Sequence, residues 1–189
     1  MKTEIYETER LELKLLKPNN INAKEILRYY ERNFEFLKIW DPTREEDFYT
    51  IDKQKKILKI ESEFAKFGEQ FRFWINKKDS KEIIGNVCFS NIVMGNFRSC
   101  FTSYKLDEAE INKGYMTEAL NGAIKIMFEE KGLHRLEVNI IPRNIRSRRV
   151  VEKLNFIEEG LSKKYLLING VWEDHLHYAK YNEQLEKNM

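Results

Sequence analysis

Cysteine, proline and long apolar runs are scarce in this sequence of 189 residues. Its two cysteines, Cys88 and Cys100, stand apart without histidines at metal-ligand spacing, so no metal is expected. Buried free thiols are the simplest interpretation, with a disulfide or a functional thiol as the alternatives. No 18-residue apolar stretch indicates a membrane span, and the N-terminus Met-Lys-Thr-Glu lacks the apolar core of a signal peptide. These absences favour a cytoplasmic protein.

A strong net charge is missing as well, because 33 basic residues nearly cancel 31 acidic ones and leave +2. No global field therefore attracts a nucleic acid or a membrane, and neither is expected as a partner. Hydrophobic residues at 42% and aromatic residues at 13% exclude a wholly disordered chain. At this length we expect one domain, residues 1–189, with a sizeable core.

Hydrophobic periodicity predicts strands and helices in one sheet-based fold. Strands are expected over residues 10–15, 70–76, 82–91, 97–106, 135–141, 156–167 and 172–181. Helices are expected over residues 20–38 (one or two), 48–67, 117–131 and 145–154. Residues 70–106 fit an antiparallel meander, whereas strand 97–106, the next helix and strand 135–141 fit a parallel unit. The sequence therefore predicts a mixed α/β sheet with helices on both faces.

A glycine-bearing turn that enters a helix, residues 111–120, is the most informative segment. Helix N-termini expose unpaired N–H groups and a partial positive charge, so such a turn can hold phosphate oxygens. The residues expected to do so are Asn112, Lys113, Gly114, Tyr115, Met116 and Thr117. A helix-capping turn without a ligand is the alternative.

Five segments in a fixed order resemble the GNAT acetyltransferases. They are Tyr104-Lys-Leu-Asp107, Lys113-Gly-Tyr-Met-Thr-Glu-Ala119, Leu133-His-Arg-Leu-Glu137, Pro142-Arg-Asn-Ile-Arg-Ser147 and Glu152-Lys-Leu-Asn-Phe156. The chain is most similar to the branch that acetylates the N-termini of ribosomal proteins (RimJ/RimL type). That resemblance extends to the ends, in Thr8-Glu-Arg-Leu-Glu-Leu13, Trp40-Asp-Pro-Thr-Arg44, Phe48-Tyr-Thr50 and Gly170-Val-Trp-Glu-Asp-His175.

The resemblance implies the GNAT fold, in which acetyl-CoA lies in a gap between two central parallel strands that splay apart. Here those strands would be residues 97–106 and 135–141. Leu106 would offer backbone groups to the pantetheine amides, and the turn would hold the diphosphate. Two residues depart from the family turn, because Ile111 replaces a basic or amide residue and Asn112 replaces a glycine. We expect binding to survive, since Asn enters the left-handed region more readily than other non-glycine residues.

Asn144 and Ser147 stand three residues apart at the start of a helix, hence on one face. Ser147 matches the family position whose hydroxyl approaches the thioester sulfur, where it can serve the leaving thiolate as a donor. Asn144 is a further predicted cofactor contact. Its alternative role is the N-cap of that helix.

The acceptor amine must lose a proton before it attacks. Glu137 corresponds to a carboxylate proposed as the base in related enzymes, and a surface pair with Arg135 or Lys125 is its alternative. Asp174 and His175 are backups. Another branch carries its catalytic glutamate where Leu166 stands here, so that version of the mechanism is not available.

An aromatic loop between the first two predicted helices would form the acceptor slot with the final hairpin. Trp40, Arg44 and Tyr49 are its predicted substrate contacts, and a place in the core is the alternative.

The leading functional prediction is transfer of acetyl from acetyl-CoA to an amine by direct attack, above all at a protein N-terminus such as that of a ribosomal protein. N-acetylation of a small molecule or antibiotic is the first alternative, because one fold hosts both reactions. A non-catalytic relative that binds CoA or a protein is the second. Monomer and homodimer are both compatible with the sequence.

Overall fold

The computed structural model describes residues 4–187. Eight strands form one sheet in the order β1-β2-β3-β4-β5-β6-β8-β7. They are β1 (Glu4–Glu7), β2 (Leu11–Leu15), β3 (Phe71–Lys77), β4 (Ile83–Val93), β5 (Ser99–Leu106), β6 (Arg135–Ile140), β7 (Ile157–Ile168) and β8 (Val171–Tyr181). All neighbouring strands are antiparallel except β5 and β6, which are parallel. The predicted mixed, mostly antiparallel sheet is confirmed.

Helices cover both faces of this sheet, as predicted. They are α1 (Asn20–Arg32), α2 (Phe34–Leu37), α3 (Ile51–Phe67), α4 (Tyr115–Lys125), α5 (Ile145–Lys153) and α6 (Glu183–Lys187). One buried cluster joins α1 and α3 to the sheet around Tyr29, Leu58 and Trp74. The other, larger cluster joins α4 and α5 to the opposite face. In the described part of the chain, no helix is long and apolar enough to cross a membrane.

Local chemistry sets the ends of several elements. Thr50 caps α3 by accepting the N–H of Lys53, and Gly68 ends that helix in the left-handed conformation at φ 72°. Asn169 and Gly170 both have positive φ, as a tight hairpin turn between β7 and β8 requires.

Several features differ from the sequence prediction, among them the helix predicted over residues 48–67, which begins at Ile51 after a 3-10 turn over Glu46–Tyr49. The short strand β1 and the short helix α6 lack the periodicity that a longer element would show. The predicted helix over residues 117–131 begins at Tyr115, and its end winds as a π-helix over Ile126–Glu130.

Candidate active site

A cleft opens between β5 and β6. The two strands pair at three positions, of which Phe101 opposite Glu137 is the last. Beyond that pair β5 continues to Leu106 and β6 to Ile140 without a ladder between them. Both diverging ends line a cavity of about 390 Å³. Backbone groups on these strand edges are therefore free to pair with an extended ligand.

The predicted anion-binding turn lies at one end of this cavity. Asn112 and Gly114 both occupy the left-handed region, at φ 62° and 80°. Within residues 4–187, no protein acceptor bonds to any of the six N–H groups of residues 112–117. Five of the six predicted residues line the cavity, the exception being Lys113, whose ammonium pairs with Glu110 at 2.9 Å. This cradle of bare N–H groups at the start of α4 fits a diphosphate.

Two residues from the N-terminal hairpin hold the turn in place. The Arg10 guanidinium donates to Glu118 at 2.6 Å and to the Lys113 carbonyl at 3.1 Å. It also lies 4.6 Å from the centre of the Tyr115 ring. Burial alone would raise the pKa of Glu118, but hydrogen bonds from Thr8 and Arg10 lower it, so the carboxylate stays charged. The sequence identified this segment as a motif but indicated no role for it.

Ser147 lies on the α5 side of the cavity, where Asn144 caps the helix. The Asn144 side-chain oxygen accepts the Ser147 N–H at 3.2 Å, so the capping alternative describes what Asn144 does here. The Ser147 hydroxyl donates to the Tyr104 hydroxyl at 2.9 Å, which in turn donates to the Ser147 carbonyl at 2.8 Å. Burial raises the pKa of Tyr104 well above its usual value, so it remains a neutral donor. Ser147, Asn144 and Tyr104 all line the cavity.

The same cavity also contains a partly buried ion pair, on the sheet face opposite to Tyr104. Lys105 follows Tyr104 along β5 and therefore points to the other face. Its ammonium bonds to Asp41. Burial lowers the pKa of Lys105, and the Asp41 charge opposes that shift. Trp40, predicted as a substrate contact, lines the cavity next to Asp41.

The other two predicted substrate contacts, Arg44 and Tyr49, line a second cavity of about 380 Å³. Leu37 and Asp41 line both cavities, so the two are neighbours. Arg44 lies 4.5 Å from the centre of the Phe48 ring and 3.4 Å from the Asp41 carboxylate. This loop therefore lines both cavities and, through buried Phe48, also contributes to the core.

Glu137, the predicted base, lies where β5 and β6 are still paired. Its carboxylate accepts a bond from Arg135 at 3.0 Å, the pairing that was its alternative interpretation, and it does not line the cavity. Two residues further along the same face of β6, Asn139 does line it, as does His175 on β8. Because side chains alternate between the two faces of a strand, the sequence alone would have placed Asn139 on the same face as Glu137.

Cationic side chains of α5 edge the same cavity. Arg146, Arg149 and Lys153 line it. By contrast, Arg143 is engaged with Glu173 at 2.5 Å. The cations that face the cavity suit the phosphates of a nucleotide.

Both cysteines are free and buried, as the simplest interpretation predicted. Burial raises the pKa of each thiol, that of Cys100 to about 12. Neither is therefore an activated nucleophile.

Comparisons with known proteins agree with this geometry. The family model of the acetyltransferase (GNAT) domain matches residues 10–157. The chain is 38% identical over 169 residues to the ribosomal protein uS5-alanine N-acetyltransferase of Escherichia coli, covering 89% of this chain and 86% of that protein. The structure of ribosomal-protein-S5-alanine acetyltransferase from Vibrio fischeri matches with a TM-score of 0.91 and 37% identity, over 96% of this chain and 98% of that one. Mycobacterium smegmatis RimJ, solved in complex with CoA-disulfide, matches with a TM-score of 0.85 and 28% identity, over 93% and 83%.

Proposed function

Because the chain belongs to the GNAT N-acetyltransferases, which use acetyl-CoA, we propose that its acceptor is the N-terminal α-amine of a ribosomal protein that begins with alanine. The open cleft between β5 and β6, with its cradle of bare N–H groups, is the observation that supports the transfer of acetyl from acetyl-CoA. The acceptor is suggested by the names of the Escherichia coli and Vibrio fischeri relatives, each matched over most of its length. We further propose that residues 1–189 form one domain of this kind, working in the cytoplasm where ribosomes assemble.

Acetyl-CoA supplies an activated acetyl group as a thioester. The turn residues Asn112–Thr117 would hold its diphosphate by backbone N–H groups. The unpaired edge of β5 up to Leu106 would pair with the pantetheine amides. The Ser147 hydroxyl, which donates to Tyr104 in this structure, would turn its hydrogen toward the sulfur that leaves.

The acceptor would enter from the other face of the sheet. Trp40 and the Asp41–Lys105 pair would surround the α-amine in the first cavity. The residues that follow would extend into the second cavity, beside Arg44 and Tyr49. A guanidinium and aromatic rings are suited to bind peptide carbonyls and apolar side chains.

The test uses the purified protein, acetyl-CoA and three acceptors, with product identified by mass spectrometry. The first is a peptide with the N-terminal sequence of uS5, the second is the same peptide with a blocked α-amine and a free lysine, and the third is a panel of small amines. We expect acetylation of the first peptide at its α-amine and none of the second.

Two outcomes would contradict the proposed acceptor. Transfer to small amines alone would favour the small-molecule function. Binding of acetyl-CoA in calorimetry without transfer to any acceptor would indicate a non-catalytic relative.

A further inference from the structure

A polar cluster lies on the acceptor face of β6, β7 and β8. The Asn139 amide donates to the Tyr165 hydroxyl at 3.0 Å, and the Tyr165 ring centre lies 5.2 Å from that of His175 and 4.8 Å from that of His177. Asn139 and His175 line the first cavity. The Asn139 side-chain oxygen is buried and has no partner within residues 4–187. An unsatisfied buried acceptor beside a cavity points to a donor on the ligand.

The tautomer of His175 follows from its one hydrogen bond. Its Nδ1 atom lies 3.2 Å from the Glu173 carbonyl oxygen, which can only accept, so Nδ1 carries the hydrogen. Nε2 of the neutral ring then carries the lone pair. In the described part of the chain, no group donates to this Nε2. His175, which lines the cavity, therefore has an unused proton acceptor on its ring.

The surroundings keep this ring neutral. Burial lowers the pKa of His175, assisted by His177, while Glu173 and Asp174 act in the opposite direction. Arg143 neutralises one of these carboxylates, Glu173, through two bonds of 2.5 and 2.7 Å. From the other elements, β7 contributes Tyr165, β6 contributes Asn139, and the paired charges of Asp41 and Lys105 line the same cavity. A neutral imidazole at pH 7 can accept a proton.

We infer that His175 Nε2 removes the proton from the acceptor ammonium, while the Asn139 side-chain oxygen accepts a second N–H of the same amine. The inference rests on the proposed function and transfers to His175 the role predicted for Glu137. The proton moves from nitrogen to Nε2, which leaves a neutral amine and an imidazolium. The amine lone pair then bonds to the acetyl carbon, the carbon–sulfur bond breaks, and the sulfur leaves with the electron pair. The nitrogen gives up a second proton as it becomes an amide, and the thiolate takes up one proton by way of the Ser147 hydroxyl. His175 returns its proton to water through the open cavity.

The first test compares pH profiles of kcat/KM for the peptide at saturating acetyl-CoA. His175→Asn keeps a donor for the Glu173 carbonyl but has no basic nitrogen. We expect a loss of about 100-fold at pH 7. That loss should shrink above about pH 8, where the α-amine is already deprotonated and needs no base. Affinity for acetyl-CoA should not change.

The matched control is the same substitution at His134, which is half-buried, pairs with Glu186 at 2.7 Å and immediately precedes β6. His134→Asn should keep the profile of the unmodified enzyme. An equal loss for His175→Asn at every pH would indicate a structural role and overturn the inference. The inference also fails if Glu137→Gln shows the pH-dependent loss and His175→Asn does not.

The second test needs no turnover. Nitrogen NMR of the free protein at pH 7 should show His175 with hydrogen on Nδ1 and none on Nε2. The opposite tautomer, or a charged ring, would overturn the inference. If the unmodified protein acetylates no peptide, the proposed function itself fails. If it acetylates the peptide but the ring is charged or carries its hydrogen on Nε2, only the role of His175 fails.

Discussion

Gly114→Ala tests the anion-binding turn with the smallest possible change. Gly114 is the N-cap of α4, in the left-handed region at φ 80°, and a Cβ atom there would meet a guanidinium nitrogen of Arg10 at 3.4 Å, an ordinary contact. The added methyl group is therefore accommodated in space. It is opposed by the backbone conformation, because an alanine in the left-handed region costs about 1–2 kcal/mol.

That strain has two consequences of known size. If the turn keeps its shape, the free energy of unfolding falls by about 1–2 kcal/mol. If the turn relaxes, at least one N–H group leaves the diphosphate. A hydrogen bond to a charged group contributes about 1.5–3 kcal/mol, so CoA binding would weaken about 10- to 150-fold. We expect the second consequence to dominate, since no protein acceptor bonds to these N–H groups within residues 4–187.

The assay is calorimetric titration with CoA and with pantetheine, which lacks the diphosphate. Gly132→Ala is the matched control, because Gly132 has φ 68°, its added Cβ would meet nothing within 4 Å, and it does not line the cavity. Gly114→Ala should weaken CoA binding and leave pantetheine binding unchanged, whereas Gly132→Ala should affect stability alone. Unchanged CoA affinity in Gly114→Ala, at the same loss of stability as in the control, would refute the reasoning.

Two further predictions concern the ends of the cleft. Ser147→Ala should lower kcat about 100-fold without weakening acetyl-CoA binding, because it removes a donor to the leaving sulfur; an unchanged kcat in a saturated assay would exclude that role. Asp107 is buried at the end of β5, and burial would raise its pKa, but bonds from Asn33, the Ala109 N–H and Arg32 lower it. Asp107→Asn should therefore cost about 3 kcal/mol in urea unfolding at pH 7. The pKa of Asp107 in the folded protein lies below the ordinary value of about 3.9. The difference in unfolding free energy between Asp107→Asn and the unmodified protein should therefore persist above about pH 3.9 and narrow as the pH falls below it. A difference that stays constant with pH would contradict the assignment.

The elements of the sheet were predictable because their side chains repeat at regular periods. Strand β5 and helix α4 meet at a turn whose left-handed positions are filled by asparagine and glycine, which favour that conformation. The parallel placement of β5 and β6 followed from the helix between them. Strand β1, with four residues, is too short to show a period.

Contacts between distant segments were not predictable from one sequence. Arg10 reaches a turn more than one hundred residues away, and Lys105 finds its carboxylate in the loop after α2. Nothing in local spacing encodes such pairs, since they depend on how the layers pack.

The positions of the candidate site residues were predictable where local geometry sets them. The turn, Ser147 and the Asn144 cap all belong to helix starts, whose chemistry is local. The base was assigned by resemblance to Glu137, and that role stays a prediction without a supporting contact. Asn139 and His175 line the cavity instead. Asn139 differs from Glu137 in this respect because β5 and β6 stop pairing at Glu137.

Amide hydrogen exchange with and without acetyl-CoA tests the central claim most directly. Acetyl-CoA should slow exchange in two segments, the β5 edge over residues 102–106 and the turn over residues 112–117. Exchange in helix α3, which packs on the sheet face opposite to α4, should not change. Binding without protection of these two segments would contradict the claim that the cleft between β5 and β6 holds the acetyl donor.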